Sequence, residues 1–110
     1  MIDYVDRVAD EILADALSRA GAVLVEGPKG CGKTETARQA AKSEVRVDVD
    51  PRVEIAMGID PALVLDGDTP RLVDEWQVQP LLWGTARHLV DDRQEKGEFI
   101  FTGLAASGEQ

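Results

Sequence analysis

Residues 22–34 read Ala22-Val23-Leu24-Val25-Glu26-Gly27-Pro28-Lys29-Gly30-Cys31-Gly32-Lys33-Thr34, a short apolar run that leads directly into a glycine-rich loop. The run over residues 22–25 is typical of a strand that is buried on both faces of a parallel sheet. The loop fits the pattern G-x-x-x-x-G-K-[ST], and residues 33–42 are predicted to form the next helix. A strand, a glycine loop and a helix in this order indicate an α/β fold.

This loop is predicted to bind the phosphates of a nucleoside triphosphate, ATP with Mg²⁺. Its glycines allow backbone N–H groups to point at phosphate oxygens, and the following helix adds the partial positive charge of its N-terminus. Lys33 is expected to reach the β- and γ-phosphates, and the Thr34 hydroxyl to bind Mg²⁺. The predicted ATP-binding residues are Gly27, Pro28, Lys29, Gly30, Cys31, Gly32, Lys33, Thr34 and Glu35.

Two alternatives stay open within the loop. The motif is also compatible with an ordinary glycine turn that carries an incidental lysine. Cys31 is either a small residue that fits the loop or a thiol activated by the helix N-terminus.

The rest of the chain predicts further helices and strands in alternation. In chain order these are an amphipathic helix over residues 4–19, a strand over 45–49, a short helix over 61–65, a strand over 71–74, a helix from Pro80 to about Glu95 and a strand over 98–102. Pro51 is expected to end the second strand, residues 66–68 to form a turn, and Gly97 to stop the last helix. The alternation predicts a parallel sheet of about four strands flanked by helices, in the spatial order 1-4-3-2.

Two acidic residues, Asp74 and Glu75, follow the apolar pair Leu72 and Val73 at the end of the third predicted strand. In P-loop ATPases an aspartate at this place holds Mg²⁺ through water, and a neighbouring glutamate orients and deprotonates the attacking water. A solvated turn is the commoner meaning of two such acids, but the complete phosphate loop favours the catalytic interpretation. Thr102 ends the last predicted strand, where its hydroxyl is placed to position water near the γ-phosphate.

The remaining residues with reactive or aromatic side chains are weaker candidates for a functional site. His88 is the only histidine and is expected on the surface or half-buried in a helix, while Trp76 and Trp83 are expected to pack rather than to bind a ligand. No Cys/His cluster suggests a structural metal. No base lies beside the serines, which excludes a serine hydrolase.

The length, charge and composition of the chain argue against several classes of protein. The 110 residues favour one domain, and the net charge of −9 argues against binding to nucleic acid or to an anionic membrane surface. The acidic first twenty residues do not resemble a signal peptide, no apolar run is long enough to span a bilayer, and the single cysteine excludes an internal disulfide. A cytoplasmic location is expected.

Three segments give the chain a resemblance to bacterial and archaeal AAA-type ATP-binding proteins in which a second domain of unknown function follows. They are residues 26–34, the tetrad Asp74-Glu75-Trp76-Gln77, and residues 99–103, Phe-Ile-Phe-Thr-Gly; residues 60–67 and 82–87 resemble the same family. The resemblance spans nearly the whole chain. It implies that Lys33 and Thr34 bind phosphate and Mg²⁺, that Asp74 supports the metal, that Glu75 is the catalytic base, and that Thr102 is a sensor.

The resemblance also indicates how much of the family's nucleotide-binding domain this sequence covers. Residues 1–110 correspond to a partial AAA-type nucleotide-binding domain, with an N-terminal helix over 1–20 and a core over 21–110, truncated before the fifth strand and the helical lid. Leu104 departs from the family, which has a small polar residue there. The outer side of the phosphate-loop strand is therefore expected to be unpaired, which predicts self-association or marginal stability.

Three functions follow from these features. The first is ATP binding with Mg²⁺-dependent hydrolysis in the intact family member. The second is a nucleotide-binding or assembly module without turnover, and the third is a small-molecule phosphotransferase. Phosphate release from ATP alone, binding without release, and release only with an acceptor distinguish the three.

Overall fold

Helices and strands alternate along the chain. The structure is a computed structural model that describes residues 2–27 and 33–104, with side chains described for residues 10–25 and 35–103. Its helices and strands are α1 (Ile2–Arg19), β1 (Ala22–Gly27), α2 (Lys33–Ala40), β2 (Ser43–Arg46), α3 (Pro51–Ile59), β3 (Arg71–Asp74), α4 (Leu81–Arg93) and β4 (Phe99–Leu104). Two 3₁₀ turns, Pro61–Leu63 and Trp76–Val78, precede β3 and α4.

The four strands form one parallel sheet in the order β1-β4-β3-β2. This confirms the α/β fold class, the parallel sheet and the predicted strand order. β4 is the last strand in sequence yet lies between β1 and β3, so the carboxyl ends of β1, β4 and β3 are neighbours. In such sheets ligands bind outside the carboxyl ends of the strands.

Helices cover both faces of the sheet, and β1, β3 and β4 contribute residues to both layers. On one face Leu13 of α1 and Ala37 of α2 pack with Leu72 and Ile100. On the other face α3 and α4 pack against a larger cluster, which includes Val73, Phe99 and Phe101. The alternation of Phe99, Ile100 and Phe101 between the two clusters follows from the two-residue repeat of a strand.

The second strand and the following helix differ from the sequence prediction. β2 spans Ser43–Arg46 rather than 45–49, and residues 47–49 form a turn instead. Val47 continues the buried alternation because its N–H still donates to Asp74 O at 3.0 Å and its side chain stays in the core. The alternation therefore extended beyond the strand itself.

Pro51 begins a helix rather than merely ending a strand. Asp50 is the N-cap of α3, accepting a hydrogen bond from the Arg52 N–H at 2.9 Å, and Pro51 occupies the first turn, where its missing N–H costs nothing. The Arg52 guanidinium also binds the Asp50 carboxylate, and these hydrogen bonds lower the pKa of Asp50 to about 2. The short helix predicted over 61–65 is present as the turn Pro61–Leu63.

The remaining differences concern element ends. α4 ends at Arg93, and Gln94 takes the left-handed conformation (φ 55°) that closes it, so the prediction that Gly97 stops this helix is wrong. Gly97 also has a positive φ, of 69°, but in the turn that leads to β4. The bounds of β3 match the prediction, and α1, α2 and β4 differ from it by a few residues.

Candidate functional site

Three neighbouring strands bring the predicted site residues to one edge of the sheet. Val25 of β1, Thr102 of β4 and Asp74 of β3 are register partners in a single row across the sheet. Gly27, the first residue of the glycine motif, ends β1 and pairs with Leu104. The chain therefore leaves β1 directly beside the carboxyl end of β4, and the carboxyl end of β3 lies one strand further along.

Part of the predicted loop is outside the described residues. Pro28, Lys29, Gly30, Cys31 and Gly32 lie there, as do the side chains of Lys33 and Thr34. α2 begins at Lys33, as the motif predicts. The phosphate and metal contacts of this segment stay predictions.

Asp74 and Thr102 are joined by a buried hydrogen bond. Thr102 Oγ1 donates to Asp74 Oδ1 at 2.7 Å, and the two residues are 0% and 9% exposed respectively. A threonine hydroxyl has one proton, so toward a water or ligand this oxygen can act only as an acceptor. The bond fixes the Asp74 carboxylate at the carboxyl edge of β3.

Glu75 adopts a left-handed backbone conformation, with φ 58° and ψ 46°. Its N–H donates to Thr102 O at 2.7 Å, which extends the pairing of β3 with β4 by one bond. For a residue other than glycine this conformation costs about 1–2 kcal/mol, and such strained residues cluster at functional sites. The Glu75 carboxylate accepts a hydrogen bond from Gln77 Nε2 at 2.6 Å.

An aromatic cluster supports the turn after Glu75. Trp76 and Trp83 pack against Phe101, with ring centroids 6.0 and 5.1 Å from that of the phenylalanine and both in edge-on geometry. The expectation that both tryptophans pack is confirmed. His88 is exposed on α4, in agreement with the expected surface position.

Sequence reasoning assigned no role to Gln77 or Gly103. A Cβ added to Gly103 would collide with Gln77 Oε1 and lie 3.3 Å from Trp76 Cδ1, so the glutamine amide occupies the space that a larger residue would need. The signal was present in the Asp-Glu-Trp-Gln tetrad and in the glycine after Thr102, but neither shows from sequence that the two residues touch.

Among the predicted ATP-binding residues, Glu35 has a described side chain, and it forms an ordinary surface pair. Glu35 lies exposed in the first turn of α2, with its carboxylate 3.8 Å from Arg38 Nη1. Within residues 2–27 and 33–104, no three His, Cys, Asp or Glu side chains form a group that could hold a metal ion. A Mg²⁺ ion bound by one or two carboxylates, phosphates and water does not need such a group.

A concavity lies beside β2, between α3 and the segment that precedes β3. It has a volume of about 260 Å³ and is lined by Val45, Val53 and Arg71, among others. The Arg71 guanidinium donates to Val64 O at 3.0 Å and to Ser43 Oγ at 3.1 Å, and burial lowers its pKa. These bonds brace the segment before β3 against the start of β2.

No helix in the described part of the chain combines the length and the apolar character needed to cross a membrane.

Comparison with known proteins gives two relatives. No family model matches the chain, and no solved structure matches it. Uncharacterized proteins of Mycobacterium bovis and Mycobacterium tuberculosis are each 36% identical to it over 97 residues, which is 86% of this chain and 22% of each relative. The chain thus spans about a fifth of the length of the curated relatives it matches.

Proposed function

We propose that the chain binds ATP with Mg²⁺ at the carboxyl edge of its sheet, through the P-loop over residues 27–34, and forms part of an AAA-type ATPase. The observation that carries this proposal is the row formed by Val25, Thr102 and Asp74, with its buried Asp74–Thr102 hydrogen bond. Thr102 lies on β4, which pairs with the strand that leads into the glycine motif, and Asp74 lies on β3, the next strand along. A carboxylate and a hydroxyl at these positions are suited to support Mg²⁺ and to accept a hydrogen bond from water.

Each residue then has a defined role. Lys33 and the loop N–H groups bind the phosphates, the Thr34 hydroxyl supplies a hard oxygen ligand of the kind that Mg²⁺ prefers, and Asp74 holds the ion through water. Bound Mg²⁺ would neutralise charge on the β- and γ-phosphates. Thr102 orients the attacking water by accepting one of its protons in a hydrogen bond.

Hydrolysis places a proton on Glu75. The water oxygen bonds to the γ-phosphorus as its proton passes to the Glu75 carboxylate, and the bond from the γ-phosphorus to the bridging oxygen breaks. ADP and phosphate leave, and Glu75 returns the proton to solvent. The left-handed backbone at Glu75 supports this role, because strain of this kind persists where the surroundings hold a side chain in a required place.

Calorimetric titration with ATP and Mg²⁺ tests the binding step. Lys33→Ala removes charge-assisted hydrogen bonds worth about 1.5–3 kcal/mol, so affinity is expected to fall by roughly one to two decades. Lys42→Ala removes an exposed lysine just after α2 and serves as the matched control. Affinity of the Lys33 variant within about a factor of two of the parent contradicts the assignment.

Glu75→Gln tests the chemical step. The substitution is nearly isosteric and removes the base, so phosphate release is expected to fall to a low residual rate while ATP affinity is retained. Unchanged turnover, or loss of ATP binding, contradicts the role of Glu75. If the parent chain binds ATP without releasing phosphate, it acts as a binding module, and release only with an added acceptor indicates a phosphotransferase.

A further inference from the structure

The exposed side chain of Gln77 contacts two residues of the candidate site. Gln77 Nε2 donates to Glu75 Oε1 at 2.6 Å, a short bond of the kind that charged acceptors form. A carboxylate can only accept, so the amide NH₂ must face it and the amide oxygen must face away. That oxygen lies against Gly103, at the carboxyl end of β4.

Gly103 leaves the space that Gln77 fills. Any Cβ at this position would overlap the amide oxygen, so the glutamine sits over the backbone of β4 only because the residue there is glycine. The position is thus defined from two sides, by the Glu75 carboxylate and by the bare backbone of the central strand.

The backbone that carries Gln77 is also held in place. Trp76, which precedes it, packs on Trp83 and Phe101, and the Gln79 N–H donates to Trp76 O at 2.9 Å to close the 3₁₀ turn. Glu75 itself is held through its N–H bond to Thr102 O. The backbone is therefore held in place at both residues of the side-chain hydrogen bond, Glu75 and Gln77.

We propose that Gln77 is a positioning residue for Glu75. Its amide holds Oε1 of the carboxylate and leaves Oε2 to accept the proton of the attacking water. The inference rests on the proposed function, since it assigns a partner to the base of that reaction. Gly103 takes part indirectly, by giving the amide its place.

The test uses two variants that do not alter Glu75. Gln77→Ala removes the amide, and Gly103→Ala displaces it, because the far end of the flexible glutamine side chain can move away from the added methyl. Each is expected to lower kcat for phosphate release by about ten- to a hundred-fold, with KM and ATP affinity changed by less than about two-fold. Gln79→Ala, at a nearby glutamine, is the control and should leave kcat unchanged.

A double-mutant comparison separates positioning from a general structural effect. In the Glu75→Gln background no base remains to be oriented, so Gln77→Ala should cause no further fall in residual turnover. Likewise, Gly103→Ala should add nothing to Gln77→Ala. An unchanged kcat in the single variants, or an equal fall in the Glu75→Gln background, overturns the inference.

If the parent chain binds ATP without hydrolysing it, the inference is tested by binding of ADP with aluminium fluoride and Mg²⁺, a mixture that imitates the transition state. Gln77→Ala should weaken binding of this mixture by about ten-fold while ATP affinity stays unchanged. Equal affinity of parent and variant for the mixture overturns the inference and leaves the proposed function intact. Failure of the parent to bind ATP removes the proposed function, and the role of Gln77 with it.

Discussion

At the scale of single residues, the Asp74–Thr102 hydrogen bond should stabilise the folded chain whether or not nucleotide is bound. Thr102→Val keeps the shape of the side chain but leaves a buried carboxylate oxygen without its donor. The expected loss is about 1–3 kcal/mol in the free energy of unfolding, measured by urea denaturation.

The same substitution in an Asp74→Ala chain supplies the control. Without the carboxylate, no buried oxygen can be left without a hydrogen-bond donor, so Thr102→Val should then lower the free energy of unfolding by less than about 0.5 kcal/mol. Equal costs in the two backgrounds would show that the hydroxyl stabilises the fold through some other contact.

Sequence was a good guide to Asp74 and Thr102 but not to the residues around Glu75. Asp74 ends β3, whereas Thr102 lies two residues before the end of β4, which runs on to Leu104 rather than ending at Thr102 as predicted. Parallel strands bring their carboxyl ends together, so the meeting of the two residues could still be inferred once the strand order was predicted. The left-handed backbone of Glu75 could not, because glutamate has no preference for that conformation. It arises from tertiary contacts, the N–H bond to Thr102 O and the packing of Trp76.

At the scale of elements, the end of α4 offers a site for a stabilising substitution. Gln94 closes the helix in the left-handed conformation at φ 55° and is exposed. Glycine adopts this conformation without the penalty from Cβ, so Gln94→Gly should raise the free energy of unfolding by about 1 kcal/mol. A thermal melt measures it as a rise in Tm of a few degrees.

Gln94→Ala is the matched variant for this prediction. It removes the same side chain but keeps the Cβ and its penalty, so it should not stabilise the chain. If alanine stabilises as much as glycine, the strain at this helix end is relieved in some other way.

The β2–α3 segment shows where sequence patterns mislead at this scale. Val45 and Val47 are both buried, and the alternation extends to Val49, so the pattern indicated a strand beyond Arg46. Val49 is exposed, however, and the cap formed by Asp50 with Pro51 at the first turn commits the chain to a helix. The missed signal was the Asp-Pro pair, which favours a helix start as much as a strand end.

At the scale of the whole molecule, the two edges of the sheet differ in character. The β2 edge carries charge: Glu44 binds Arg38 at 3.0 Å and Arg46 at 3.4 Å, and the bond from Arg38 lowers the pKa of Glu44. Among the described residues β1 pairs only with β4, and residues 22–25 bear no charge. Natural edge strands use charges or proline to prevent pairing with another chain.

We therefore expect the purified chain to self-associate through β1. Leu24, 37% exposed on this strand, is the place to test it, because Leu24→Lys puts a charge on the open edge. Light scattering should show a smaller mean mass for this variant than for the parent. Ile59→Lys, at a residue 73% exposed on α3, introduces the same charge away from the edge and should leave the mass unchanged. A monodisperse parent monomer would contradict the prediction.

The aromatic cluster gives the chain a built-in optical signal. Trp76 and Trp83 are its only tryptophans; both lie against Phe101, and Trp76 directly follows the proposed catalytic glutamate in the chain. Tryptophan fluorescence, excited selectively over that of Tyr4, therefore arises entirely from this one region, and we expect its emission to shift or change in intensity when ATP and Mg²⁺ bind. Trp83→Phe leaves Trp76, the residue next to Glu75, as the sole tryptophan, so a titration of that chain under selective tryptophan excitation follows the turn after β3 without any added label.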